Sequence, residues 1–373
     1  MRHILMCGIF VLFSSSIRAE DWPQFRGINA TGVSTSSLPL PTEFSLKKNL
    51  KWSVPLADGI SSPIIVEGRV YTTSYAKKKN QFVVQCFNAT TGKEIWRRDL
   101  AAGKLPRITP PNSHASSTPA CDGSRVYVYF STHGLVALNV KDGSEAWKHP
   151  LPRPAYLMDW GAASSPILYK DLVIFNQDDD LNPFLLAIDA KTGKQRWKTP
   201  RPDMLAGYST PVLCTANGRT DLVVAGSGQL KGDEPDNGKE IWTCNNVLRT
   251  IMTSPVVRDG VIYIAVQSYG DQARTLKFAL MEWLDTNQDG KLIKAEVPKE
   301  FWKKFDRSDT NRDGALQGKE VDSAFQSPKN MVGGGNIIQA IKGGGKGDVT
   351  KTHVLWNLDH KVPSNLASPL LVG

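Results

Sequence analysis

Apolar residues in this chain come in short runs rich in Val, Ile, Leu and Tyr, broken by brief polar turns. Ile64-Ile-Val-Glu-Gly-Arg-Val-Tyr-Thr72 and Val256-Val-Arg-Asp-Gly-Val-Ile-Tyr-Ile264 each place a Glu-Gly or Asp-Gly pair between β-branched runs. That is the pattern of a hairpin, with glycine where positive φ is needed. A third run follows in each unit, such as Leu135-Val-Ala-Leu138 or Phe184-Leu-Leu-Ala-Ile188. A tight turn and a strand carrying a tryptophan then close it. The closing stretch recurs as Cys86–Trp96, Ala137–Trp147, Ala187–Trp197 and Gly232–Trp242, with a glycine four residues before each tryptophan. A small residue followed by proline opens each unit, at Ser62-Pro63, Thr118-Pro119, Ser165-Pro166, Thr210-Pro211 and Ser254-Pro255. Proline is tolerated at the first residue of a strand, where no ladder donor is lost. Four strands about every 45 residues predict an all-β fold, a β-propeller of four-stranded antiparallel blades with about five units visible. Helical repeats of similar length need an apolar period of 3.6, which is absent.

The fifth unit breaks the rhythm. Trp242 and Trp356 are separated by more than twice the usual interval, and the third strand resumes only at Asn336-Ile-Ile-Gln-Ala-Ile341. The organisation expected is a signal peptide at 1–19, an N-terminal arm at 20–49, and blades over 50–274. An insertion at 275–334 and further propeller at 335–373 complete it. Ser368-Pro369 has the form of another blade opening, so the chain reads as part of a longer propeller.

Two twelve-residue stretches in the insertion carry its chemistry. Asp285, Asn287, Asp289, Gly290 and Glu296 stand at positions 1, 3, 5, 6 and 12 of the first, and Asp309, Asn311, Asp313, Gly314 and Glu320 at the same positions of the second. Calcium takes six to eight oxygens, so side chains at 1, 3 and 5 converge, glycine at 6 allows the sharp turn, and glutamate at 12 closes the site. The backbone carbonyls of Lys291 and Ala315, at position 7, would add a ligand each. Leu292 and Leu316, at position 8, would pair the loops through a short β contact. The spacing predicts an entering helix over Thr275–Leu284, one helix between the loops at Lys299–Phe305, and a leaving helix over Gly318–Phe325. The loops begin 24 residues apart, which makes a compact EF-hand pair with two calcium ions.

The stretch Ala187, Asp189, Thr192, Gly193, Trp197 resembles the repeat of the pyrroloquinoline-quinone-like propellers. That superfamily includes quinoprotein dehydrogenases and the propeller lipoprotein of the outer-membrane barrel-assembly machinery. The resemblance covers about residues 20–275 and 330–373. It implies the fold, with the tryptophan docking neighbouring blades, more than it implies a cofactor. The opening Asp21-Trp-Pro-Gln-Phe-Arg-Gly27, together with the insertion, is similar to secreted propeller proteins of planctomycete-type bacteria. Many quinone dehydrogenases of this fold cover the quinone with a disulfide between adjacent cysteines, and no Cys-Cys pair occurs here, so pyrroloquinoline quinone is not expected.

Composition narrows the remaining choices. With 31 glycines and 23 prolines in 373 residues, turns must be frequent. The formal charge of +9 is scattered, and its one run, Lys77-Lys-Lys79, sits between two strands, which fits a solvated loop and excludes a nucleic-acid surface. Ile4–Phe13 is an apolar run with a polar exit at Ser14–Ala19, which predicts an exported protein, secreted or periplasmic. Cys86, Cys121, Cys214 and Cys244 match no zinc spacing and suit either buried thiols or a disulfide. Asp178-Asp-Asp180 and Gly343–Gly347 read as turns, and the histidines have no ligand spacing. The sequence thus favours a secreted calcium-binding scaffold for a protein or glycan partner, without catalytic residues. A quinoprotein-like dehydrogenase of alcohols or polymers is the alternative, and a calcium sensor the third reading.

Overall fold

The computed structural model describes residues 20–37, 39, 41–156, 159–202, 204, 207–226, 228–245, 252–268, 284–287, 289–297, 299–325, 335–358 and 368–371. The expected signal peptide and most of the entering helix at 275–284 lie outside these residues. Five antiparallel sheets follow one another along the chain. Blade 1 is β1 (Ile64–Val66), β2 (Arg69–Ala76), β3 (Gln81–Asn88) and β4 (Glu94–Ala101). Blade 2 is β5 (Ala120–Cys121), β6 (Arg125–Phe130), β7 (Gly134–Asn139) and β8 (Glu145–His149). Blade 3 is β9 (Ile167–Tyr169), β10 (Leu172–Gln177), β11 (Phe184–Asp189) and β12 (Gln195–Pro200). Blade 4 is β13 (Val212–Ala216), β14 (Arg219–Gly226), β15 (Gln229–Asp233) and β16 (Glu240–Cys244). Blade 5 begins with β17 (Val256–Arg258) and β18 (Val261–Ser268).

The insertion follows β18. It contains β19 (Leu292–Ile293), α1 (Trp302–Ser308), β20 (Ala315–Leu316) and α2 (Lys319–Phe325). Blade 5 then resumes with β21 (Gly335–Lys342). β22 (Gly347–Asp348) crosses to pair in parallel with β16, and β23 (Val354–Leu358) closes the blade.

The core lies between blades, because strand alternation buries both faces of every sheet. In β6, Val126, Val128 and Phe130 face blade 1 among Phe82, Val84 and Cys86, while Tyr127 and Tyr129 face blade 3 among Val173 and Phe175. β11 does the same, with Phe184, Leu186 and Ile188 towards blade 2 and Leu185 and Ala187 towards blade 4. This explains why the inner strands read as near-continuous apolar runs. The structure therefore bears out a β-propeller of four-stranded antiparallel blades.

The recurring tryptophan motif is a docking device, and each position has a cause. The tryptophan lies opposite a small residue of the third strand: Cys86 faces Trp96, Ala137 faces Trp147, Ala187 faces Trp197 and Gly232 faces Trp242. A register shift beside each pair projects the ring out of the sheet. The indole then packs on the turn glycine of the next blade and donates to a carbonyl there. Trp52 meets Gly92 and bonds the Ala89 carbonyl at 2.9 Å; Trp96 meets Gly143 and bonds Val140 at 2.8 Å. Trp147 meets Gly193 and bonds Ala190 at 2.9 Å; Trp197 meets Gly238 and bonds Pro235 at 3.2 Å. Trp242 departs from the series. Its indole donates to Asp221 of its own blade at 2.8 Å, and the Gly343–Gly347 segment leads into β22 along its edge. That glycine run thus docks blade 5 on blade 4 rather than forming a free turn.

Two features organise the centre. The hydroxyl residue before each opening proline accepts a backbone N–H from its counterpart one blade earlier: Ser62 donates to Thr118, Thr118 to Ser165, Ser165 to Thr210, Thr210 to Ser254 and Ser254 to Ser368, at 3.0–3.2 Å. The N-terminal arm also crosses the inner strands in sequence. Trp22 pairs with Ile65, Pro23 O accepts from Cys121 N–H, and Gln24 accepts from Leu168 N–H. The turn Ile28–Ala30 touches β9 and β13, and Thr31 O accepts from Val257 N–H. Arg26 donates to the carbonyls of Ser254, Pro255 and Pro369. The arm is a strap across all five blades, not a peripheral tail.

Candidate metal centre

The insertion folds around its own apolar cluster of Leu284, Leu292, Val297, Phe301, Phe305, Leu316, Val321 and Ala324. Leu292 pairs with Leu316 across β19 and β20, the short contact expected of position 8 in each loop. The segment between the loops is a 3-10 turn at Lys299–Phe301 running into α1, and α2 leaves the second loop. Phe301 and Phe305, four residues apart, put one helical face on this cluster.

Both loops show the same internal bonding. The Asp285 carboxylate accepts from Asp289 N–H at 3.1 Å and Gly290 N–H at 2.9 Å; Asp309 accepts from Asp313 N–H at 3.2 Å and Gly314 N–H at 3.0 Å. Asn287 and Asn311 accept from Asp289 and Asp313 N–H, while Asp289 and Asp313 accept from Lys291 and Ala315 N–H. Gly290 and Gly314 have φ of 79° and 81°, the left-handed region that position 6 requires.

The loops differ at their closing glutamates. Glu320 is buried beneath the second loop, where Oε1 accepts from the Thr310 N–H and hydroxyl and from Asn311 N–H. These bonds, the Thr310 hydroxyl first, hold its carboxyl below the usual carboxylate range. Its second oxygen, Oε2, is buried and has no hydrogen-bond partner. Oxygens of Asp309, Asp313 and Glu320 lie within 4.8 Å of one another. In the first loop Glu296 turns to local donors, the Thr286 hydroxyl at 3.2 Å and Ile293 N–H at 3.0 Å. Among the described residues no comparable trio forms from Asp285, Asp289 and Glu296. The second loop alone is closed, with converging hard oxygens and an orphaned buried carboxylate oxygen. That donor set fits a divalent hard cation.

Of the other candidates, the acidic stretch departs from expectation. Asp178-Asp-Asp180, expected as a solvated turn, is buried. Asp178 and Asp233 of blade 4 share Arg201, at 3.0 and 3.2 Å, and all three are at most 3% exposed. Asp179 accepts from the backbone N–H groups of Ala155, Leu181 and Asn182 and from the Gln177 amide. Burial pushes Asp233 and Asp179 up to about 6. Arg201 lies at the end of one outer strand and its second partner in the next blade, so no local pattern could have joined them. Cys86, Cys121, Cys214 and Cys244 are buried and form no disulfide with one another, with burial raising Cys86 to about 11 and Cys121 and Cys214 to about 12. Lys77–Lys79 is an exposed 3-10 turn.

Comparison with known proteins places this fold among relatives. The profile of a family described as outer membrane protein assembly factor BamB matches residues 47–160 and 79–301. The BamB protein of Yersinia pestis is 26% identical over 271 residues, covering 67% of this chain and 64% of that protein. A quinoprotein ethanol dehydrogenase of Pseudomonas aeruginosa is 34% identical over 135 residues, covering 31% of this chain and 20% of that one. The chain thus spans less than two thirds of either relative. Among solved structures, that of BamB from Moraxella catarrhalis aligns over 57% of each chain with a TM-score of 0.41 and 16% identity.

Proposed function

The chain belongs to the family of outer membrane protein assembly factor BamB, and from that membership we propose that it is an exported calcium-binding propeller that docks a protein or glycan partner. The observation that carries the calcium assignment is Glu320: a buried carboxylate with one oxygen unpartnered, grouped with Asp309 and Asp313. A divalent cation between these oxygens would satisfy Oε2 and offset most of the charge of the three carboxylates. Asn311 and the Ala315 carbonyl would complete the second site, with Asp285, Asn287, Asp289, Glu296 and the Lys291 carbonyl forming the first. The ion would act as a structural brace for the insertion. No helix among the described residues is long and apolar enough to cross a membrane, and the apolar run at 4–13 supports export.

Calcium titration by calorimetry tests the reading. Two binding events are expected, the tighter one lost in Glu320→Gln and the weaker in Glu296→Gln. An absence of heat up to about 10 mM calcium, well beyond the range of extracellular sites, would refute it. The dehydrogenase relatives supply the alternative. Dye-linked alcohol oxidation after reconstitution with pyrroloquinoline quinone and calcium would replace the scaffold assignment with that chemistry.

A further inference from the structure

Above blades 2 and 3 the connecting loops enclose a cavity of ≈ 550 Å³, a volume typical of small-ligand sites. The Tyr129 and Tyr156 rings line it, and three cations, Lys104, Arg107 and Arg153, stand exposed around it. Two carboxylates also line it. Asp179 is engaged by four protein donors, and Asp159 lies 3.7 Å from Arg107. Ser117 lines the same cavity, with its hydroxyl oxygen buried beneath the wall. Pro106, Pro152 and Pro154 stiffen the walls, so little order need be imposed on binding.

One wall connects this cavity to the insertion. Leu181 lines the cavity and also packs against the apolar cluster of the calcium-loop module. Its backbone N–H is held by Asp179, whose other oxygen accepts from Ala155 N–H on the opposite wall. The insertion from blade 5 thus reaches across to blade 3 and braces the loop that shapes the cavity.

We propose that this cavity binds a small acidic sugar, of one or two uronate rings, and that calcium loading of the insertion tightens the site through Leu181. Rim cations suit the carboxylate, while the tyrosine rings suit the face of a sugar ring. The small volume favours a short sugar over a protein segment. The coupling to calcium rests on the metal assignment above; the sugar site does not.

The test is titration of the full chain with digalacturonate, with maltose and triglutamate as controls, in calcium and in chelator. Expected are binding of digalacturonate over both controls, a loss of about tenfold in Arg107→Glu/Arg153→Glu, and about fivefold weakening in chelator that Leu181→Ala abolishes. No binding of digalacturonate, or equal binding of maltose, overturns the sugar site. Equal binding of triglutamate assigns the cavity to acidic peptides instead and overturns the sugar. Affinity indifferent to calcium, in protein shown by calorimetry to load calcium, overturns the coupling alone. Failure to load calcium refutes the metal assignment and leaves the digalacturonate arm to decide the cavity.

Discussion

Replacing Gly193 by alanine should destabilise the propeller well beyond the ordinary cost of its backbone conformation, and Gly68 provides the reference. Both glycines sit in hairpin turns with nearly the same left-handed φ, 72° and 73°. A side chain at either position therefore meets about the same local strain, roughly 1–2 kcal/mol. Their surroundings differ. A Cβ at Gly68 would have nothing within 4 Å, whereas at Gly193 it would lie 2.7 Å from Cγ and Cδ2 of Trp147. That ring cannot retreat, because its Nε1 is bonded to Ala190 O at 2.9 Å and its faces are buried between blades 2 and 3. Overpacking of this kind costs about 1–3 kcal/mol more. Gly193→Ala should thus lose about 2–5 kcal/mol and Gly68→Ala about 1–2. Urea unfolding followed by far-ultraviolet circular dichroism, at fixed calcium, measures both. A cycle with Trp147→Ala isolates the clash, since removing the ring should restore the Gly193 variant to the Gly68 penalty. Equal losses at the two glycines, or additivity with Trp147→Ala, would refute the docking account.

Two further outcomes follow from buried polar groups. Arg201→Met leaves Asp178 and Asp233 buried without their cation and should cost about 3–5 kcal/mol near pH 7. Burial already raises Asp233 from 3.8 to about 6 and Asp178 in the same direction. A carboxyl raised in the folded state contributes stability below its unfolded value and loses it as pH rises through the folded one. The deficit of Arg201→Met should therefore shrink between pH 7 and 5. A deficit independent of pH, in paired urea titrations, would contradict this. Thr210→Val removes the acceptor for Ser165 N–H in the central girdle and should cost about 1–3 kcal/mol, while Thr210→Ser should cost less than half as much. Equal melting temperatures for the two variants would show the girdle to be inert.

Much of the architecture was legible along the chain because each repeat obeys local rules. Strand period, turn glycines and tryptophans recur at intervals set by backbone geometry, and they predict blades, their order and the place of the insertion. The docking role of the tryptophan was expected from the family resemblance, and the structure adds its cause in the small residue opposite each ring. The proposed metal loops were legible for the same reason, as all the candidate ligands of each lie within twelve consecutive residues.

Contacts between distant segments were not. The opening prolines were visible, but the hydroxyl beside each bonds a residue 44 to 114 positions away. Asp178-Asp-Asp180 has the composition of a solvated turn and becomes buried only because Arg201 and the donors around Asp179 converge on it. The N-terminal arm shows no period, yet it touches every blade. By itself the sequence determined what is periodic or contiguous: strands, turns, the recurring tryptophans and the spacing of the two acidic loops. Only the tertiary structure decided which loops meet over blades 2 and 3, that Leu181 joins them to the insertion, and which charges are buried. Those outcomes depend on closing the chain over long separations, where no residue carries a mark of its eventual neighbour.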